Sequence, residues 1–220
     1  MDTSFWSGTK RRARPAMSSS SPLPRWRSLP SSSVVDALRE DDDIEDVVAL
    51  TGAAVPDWLK QLSIPTDWQV LELPEAPEQQ ITRMAVFGPL GNDEWEAADT
   101  IGVTGFTGWP SFYDVYRNAD RVLRGLGSSR IEVKALPVPP FQWTAAVRSS
   151  GTTLIGNESI WIQQSNYVAG SEKPHASRLI VHTTLVNAEK QKELSHDISR
   201  LSADVYNGFI DALTARHTAP

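Results

Sequence analysis

The chain contains no cysteine, so four histidines are the residues that could carry acid–base or metal chemistry: His175, His182, His196 and His217. None of them forms an HExxH motif or a pair four residues apart, so their spacing does not indicate zinc. His182 lies in a predicted strand, and His196 precedes Asp197 in a predicted helix. Either could act with a serine and a carboxylate in acyl transfer.

The sequence also lacks the glycine motifs of nucleotide sites, GxGxxG and GxxxxGK[ST], and the nucleophile elbow GxSxG. We therefore expect a non-enzymatic protein with no cofactor and no metal. A small hydrolase or transferase that uses His182 or His196 is the alternative.

An acidic run near the N-terminal end could suggest calcium, with seven acidic residues between Asp36 and Asp46. Calcium loops require alternating oxygen ligands around a glycine, and this run has neither feature. Apolar residues interspersed with the acidic ones favour short helices with a solvated acidic face. We expect residues 34–54 to form an acidic helical linker.

One predicted strand, residues 159–168, carries an unusual run of polar side chains, Gln163 to Tyr167. Such side chains must find hydrogen-bond partners if the sheet is covered. An exposed edge or a ligand groove would also explain them. Trp161 lies in the same strand and is one of six tryptophans that could be core residues or could line a groove or interface.

A glycine-rich segment, Thr104 to Trp109, precedes a predicted helix and contains two large aromatic residues, Phe106 and Trp109. We expect at least one of them to be partly exposed beside a groove shared with the strand at 159–168. If both filled the core instead, the segment would be structural. The candidate binding residues are Phe106, Trp109, Trp161, Gln163 and Tyr167.

The helix that follows has a readable start, because Ser111 and Asp114 have the spacing of a capping box. Apolar residues then recur at three- and four-residue steps, which predicts one helix over residues 111–126. Gly127 is a typical stop. A second apolar stripe predicts a long final helix, through Leu194, Ile198, Leu201, Val205, Phe209 and Leu213.

Strand-like segments make up most of the remainder, at residues 68–73, 81–87, 131–138, 143–149, 159–168 and 178–186. Residues 88–101 contain many turn formers and are expected to form a variable loop. The pattern favours an α+β fold in which helices cover a sheet.

The segment Gly105 to Asp120, with GFTGWPSF followed by RNAD, resembles the LpqN/LpqT family of mycobacterial and related actinobacterial proteins. The segment IPTDW at 64–68 is similar to the opening of that domain. The resemblance implies a PsbP-like α/β sandwich over residues 55–215, an antiparallel sheet flanked by helices, without known catalytic residues. It also implies a binding or adaptor protein associated with cell-envelope lipid traffic, with a lipid-like ligand or a protein partner.

The chain differs from that family in its export and lipid-anchor signals. Without cysteine there is no lipobox, and the basic residues near the start are not followed by an apolar segment. No run is long and apolar enough for a membrane span. We therefore expect a cytoplasmic protein with no specific nucleic-acid binding.

Residues 1–33 have a different composition from the remainder. They contain six basic residues and one acidic residue, whereas the whole chain has a net charge of −6. Serine runs and prolines leave little apolar surface to bury, so we expect a disordered basic tail. Such a tail could contact phosphate or an acidic surface.

Overall fold

The computed structural model describes residues 33–73, 81–89 and 95–218. The prediction of a disordered tail over residues 1–33 falls outside this part of the chain, except for Ser33. The tail therefore stays a prediction.

An antiparallel sheet of eight strands, in the order β2-β3-β4-β8-β7-β6-β5 with β1 also paired to β4, organises the described residues. The strands are β1 (Glu45–Ala49), β2 (Trp68–Val70), β3 (Arg83–Phe87), β4 (Ala97–Thr107), β5 (Ser129–Ala135), β6 (Thr144–Ile155), β7 (Glu158–Ala169) and β8 (Ser177–Asn187). Consecutive strands β5 to β8 form a meander, because each pairs with the next along the chain.

The long strand β4 lies in the middle of the sheet. One edge pairs with β8 over the whole length of β4. The other edge is shared, since β3 pairs with residues 97–101 and β1 pairs with residues 104–107. The loop expected over 88–101 is therefore wrong for residues 97–101. Apolar side chains on both faces suit a central strand that is covered on both sides.

Helices cover both faces of the sheet. The long helix α5 (Ser195–Thr218) lies on one face, and α1 (Val34–Arg39), α3 (Phe112–Asn118) and α4 (Arg121–Gly125) lie on the other. Alternate residues of β4 point to the two faces, so Ile101 and Val103 pack with α5 whereas Phe106 packs with α1 and α3. The predicted α+β fold, an antiparallel sheet flanked by helices, is confirmed.

The predicted stripe of the final helix is buried, from Ile198 to Leu213. None of the helices in the described residues is long and apolar enough to cross a membrane. The cytoplasmic localisation stays a prediction.

Residues 34–54 differ from the helical linker expected for them. Residues 34–39 form α1, capped by reciprocal hydrogen bonds between Ser33 and Asp36. Residues 45–49 are a strand, not a helix, because their backbone completes the free edge of β4. Val34, Val35 and Leu38 are buried in the same core cluster as Phe106. The segment is therefore packed into the fold.

The helix start at Ser111 is confirmed, because the Ser111 hydroxyl accepts a hydrogen bond of 3.1 Å from the Asp114 backbone amide. The single helix predicted over 111–126 is wrong, since it breaks between α3 and α4 at Ala119 and Asp120. Ala119 is fully buried, and its carbonyl accepts a 2.8 Å hydrogen bond from the Ser149 hydroxyl on β6. That contact anchors the break to the sheet.

Gly127, at a φ of 64°, ends α4 as predicted.

The cap gives a first prediction. Ser111→Ala should lower the free energy of unfolding by about 0.5–2 kcal/mol, because it removes the acceptor for an orphan amide of the first turn. Urea titration measures this. Arg117→Ala is the matched control, since Arg117 is an exposed residue of the same helix. Arg121 is unsuitable, because its guanidinium makes two hydrogen bonds of 2.8 Å to Glu40. Equal losses in both variants would contradict the assigned cap.

Candidate functional site

The two aromatic residues of the glycine-rich segment lie in different environments. Phe106 is 0% exposed and belongs to the core cluster beneath α1 and α3, so it is not the exposed member of the pair, and its candidate binding role stays a prediction. Trp109 is 43% exposed, and its ring stacks on Trp143 with 4.3 Å between the centroids. At least one of the pair is therefore exposed, as expected, and a binding role for Trp109 stays a prediction.

Gly108 marks the point where the chain leaves β4. It has a φ of 92°, and a Cβ at this position would collide with the Asp43 carbonyl. Glycine is therefore required by both the backbone conformation and the close approach of the loop before β1. The first part of the glycine-rich segment, from Thr104 to Thr107, still belongs to β4.

The other three candidate residues lie on β7 and face the helix α5. Trp161 packs against a cluster that includes Ile198 of the helix and Leu194, which directly precedes it. The Gln163 amide donates a 2.7 Å hydrogen bond to the Ser202 hydroxyl, also on α5. The ring of Tyr167 is 0% exposed and lies 5.2 Å from that of Phe209. The structure does not bring these residues together with Trp109.

The Tyr167 hydroxyl is buried beside Ser165 and Arg148, yet it makes no hydrogen bond of good geometry within the described part of the chain. Burial raises the pKa of Tyr167 above its ordinary value, and the two neighbours only partly oppose that shift. The side chain is a neutral core residue. The expectation that Tyr167 contacts a ligand stays a prediction.

The two candidate catalytic histidines differ in their exposure to solvent. His182 is 1% exposed, and its Nε2 lies 2.5 Å from the Asp99 carboxylate, which also accepts a 3.1 Å hydrogen bond from Thr184. His196 is an exposed residue in the first turn of α5. A substrate cannot reach His182 in this conformation. The contact with Asp99 gives His182 Nε2 a partner within the sheet, whereas the buried Nδ1 has none among the described residues.

A cavity of about 280 Å³ opens on the α5 face of the sheet, beside strands β2, β3 and β4. Its other wall is α2 (Asp57–Lys60) with the segments on either side. Six of its nine lining residues are aliphatic: Val55, Leu59, Leu62, Ile64, Val70 and Ile101, alongside Lys60, Thr82 and Arg83. The volume is close to the lower limit of ordinary ligand sites. The cavity can hold one small apolar molecule or one short chain.

The position of α2 depends on contact with α5. The indole ring of Trp58 lies against Gly208, and a Cβ at residue 208 would collide with that ring. The neighbouring residues Val55 and Leu59 are buried in a cluster with Phe209 and Leu213. The missing side chain at residue 208 therefore lets α2 approach closely and form the cavity wall.

Arg83 is the polar feature of the cavity. It pairs directly with Ile101 across β3 and β4, so both side chains lie on the α5 face. Its Nη1 donates a 3.2 Å hydrogen bond to the Leu62 carbonyl, whereas its buried Nε has no partner among the described residues. Burial lowers the pKa of the Arg83 guanidinium, and the negative charges of Asp99 and Asp204 oppose that shift. The group stays protonated, because arginine does not lose its charge in proteins.

Lys60 is the second cation at the cavity. Its ammonium group lies 2.9 Å from the Asp57 carboxylate, and both side chains are well exposed. The charge of Lys60 is thus already paired at the surface. Arg83 also lines the cavity, and it forms no such ion pair among the residues described.

The sequence reasoning missed this site. A charged residue within an otherwise apolar strand, Ile81 to Phe87, was the available signal for Arg83. None of the candidate residues Phe106, Trp109, Trp161, Gln163 and Tyr167 lines the cavity. The lining residues come from α2, three strands and the segments beside them, whose approach no local pattern specifies.

A second surface carries exposed aromatic side chains around the start of α3. Trp109, Phe112, Tyr113 and Tyr116 are each at least 39% exposed. The rings of Phe112 and Tyr116 lie 5.9 Å apart. Clusters of exposed aromatic side chains are typical of protein interfaces.

Comparison with known proteins gives a likeness in fold. No protein-family model matches the chain, and no curated protein is significantly similar to it. A crystal structure of LpqN, involved in cell envelope biogenesis of Mycobacterium tuberculosis, matches with a TM-score of 0.58. The match covers 78% of this chain and 95% of that chain at 16% sequence identity. The chain therefore has a distant LpqN-like fold, consistent with the PsbP-like α/β sandwich that its sequence predicted.

Proposed function

We propose that this protein is a non-catalytic binding protein that holds a lipid-like, apolar molecule in the cavity between α2 and the sheet, in a role related to the cell envelope. The observation that carries the proposal is the aliphatic lining of the cavity. Burying apolar surface there stabilises a complex by about 25 cal/mol per Å². The envelope role is supported by the LpqN-like fold, because LpqN is involved in cell envelope biogenesis.

The absence of catalysis is part of the proposal. His182 and Asp99 form the one histidine–carboxylate pair that is buried within the described residues, and neither residue lines the cavity. His196 lies on the exposed surface of α5. A hydrolase or transferase using His182 would need a different conformation, because that residue is buried.

A neutral dye tests the proposal, for example phenylnaphthylamine, whose fluorescence rises in apolar surroundings. We expect saturable binding to the wild type. Leu62→Trp should weaken it at least tenfold, because the larger side chain fills the cavity. Leu154→Trp is the matched control, since Leu154 is 72% exposed and does not line the cavity.

Two results would refute the cavity as the ligand site. One is the absence of saturable dye binding to the wild type. The other is equal binding by the two tryptophan variants, once the thermal midpoints show that both are folded.

A protein partner is the second candidate function, favoured by the exposed aromatic residues around α3. Aromatic side chains are enriched in protein interfaces and often supply most of their binding energy. The dye experiment separates the two functions, because Tyr113 and the other residues of that surface do not line the cavity.

A further inference from the structure

We propose that the ligand of the cavity is a single-chain amphiphile with an anionic head group, and that Arg83 selects the negative charge. This inference rests on the proposed binding function and adds the chemical class of the ligand. It assigns Arg83 as a specificity-determining residue.

The first argument is the hydrogen-bonding state of Arg83. A guanidinium has five N–H donors in a planar fork, and it binds carboxylate or phosphate oxygens through two of them. Here Nη1 donates to the Leu62 carbonyl, and no other hydrogen bond of this side chain occurs within the described ranges. The remaining Nη donors could therefore bind an anion in the cavity, which would gain charge-assisted hydrogen bonds.

The second argument is the charge around the cavity. The two ionisable residues that line it, Lys60 and Arg83, are both basic. The carboxylates that raise the pKa of Arg83 belong to Asp99 and Asp204, and neither residue lines the cavity. An anionic group in the cavity would meet attraction, whereas a cationic group would meet repulsion.

The third argument is size. About 280 Å³ is slightly below the usual lower limit of a ligand site, so two acyl chains would not fit. An aliphatic lining with a cation beside it matches one apolar chain that ends in an anion. Both a carboxylate and a phosphate present oxygens to a guanidinium, so the head group is defined here by its charge.

Displacement of the neutral dye by probes of equal chain length tests the inference. The probes are octanoate, octyl phosphate, n-octanol and octyltrimethylammonium. We expect octanoate or octyl phosphate to bind the wild type at least tenfold more tightly than n-octanol. The stronger of the two anions identifies the head group. Octyltrimethylammonium should bind most weakly.

Arg83→Met should weaken binding of the preferred anion by about 10- to 100-fold, the usual effect of losing a charge-assisted hydrogen bond. Binding of n-octanol should change less than about threefold, because methionine keeps the apolar stem of arginine. Arg117→Met is the matched control, since Arg117 is exposed and does not line the cavity. It should behave as the wild type.

The outcomes separate this inference from the proposed function. If n-octanol displaces the dye and the anions bind no more tightly, the role of Arg83 is wrong while the binding function stands. If neither the dye nor any probe binds, the role of Arg83 and the proposed binding function are both wrong. If Arg83→Met does not fold, the order of the anionic, neutral and cationic probes on the wild type decides. Cation binding equal to anion binding overturns the inference.

Discussion

Replacing Phe106 with alanine is expected to lower the free energy of unfolding by about 3–5 kcal/mol, the usual cost of removing a buried aromatic ring. Phe106 is 0% exposed and contacts a core cluster that joins α1, α3 and the sheet. The cavity left behind cannot collapse easily, because helices and strands surround it on several sides. Urea unfolding of the purified variant measures the loss.

Trp109→Ala is the control for that result, because it removes a larger ring three residues away. The ring is 43% exposed, and its main aromatic contact is the stack on Trp143. Such a pair contributes about 0.5–1.5 kcal/mol beyond the area that it buries. We expect a clearly smaller loss of stability than for Phe106→Ala. A loss at Phe106 below about 1 kcal/mol would show that this residue is not the core anchor described here.

Replacing Asp99 with leucine is expected to destabilise the protein by about 3–5 kcal/mol, the typical effect of removing one partner of a buried pair. Asp99 and His182 are each 1% exposed, and the Asp99 carboxylate accepts hydrogen bonds from both His182 and Thr184. Without Asp99, two buried donors lose their acceptor. Arg83 also loses a nearby negative charge.

A double-mutant cycle shows whether the loss arises from the pair itself. Asp99→Leu combined with His182→Leu should cost less than the sum of the two single substitutions, because the apolar replacement of both partners leaves no unpaired imidazole. The coupling energy between contacting residues is commonly about 0.5–3 kcal/mol. If the two losses of stability simply added, the contact between Asp99 and His182 would be contradicted. The same variants keep the cavity lining, so dye binding should survive wherever the protein is folded.

Local patterns were sufficient for much of the fold. The period of apolar residues predicted the strands that became β5 to β8, because a covered sheet requires regular burial. Likewise, the stripe from Leu194 to Leu213 predicted α5. The cap at Ser111 was readable because it involves only residues within one turn.

The errors occurred where a distant contact overrides local preference. Residues 45–49 carry an acidic sequence, yet they form a strand because the edge of β4 offers unpaired backbone groups. Residues 97–101 follow a segment rich in turn formers, yet they belong to a central strand paired on both edges. The helix after Ser111 is interrupted at Ala119, where a β6 hydroxyl binds the backbone.

The sequence by itself determined the fold class, the order of most elements and the lack of the common catalytic motifs, because these depend on composition and short-range periodicity. Only the tertiary structure decided the site. Phe106 and Trp109 share one short segment, but β4 extends through Phe106 and ends before Trp109, so one is buried and the other is exposed. Arg83 became a cavity residue because α2 packs through Trp58 onto Gly208 and meets the sheet beside it. Such approaches depend on residues far apart in the chain, whose packing no local pattern specifies.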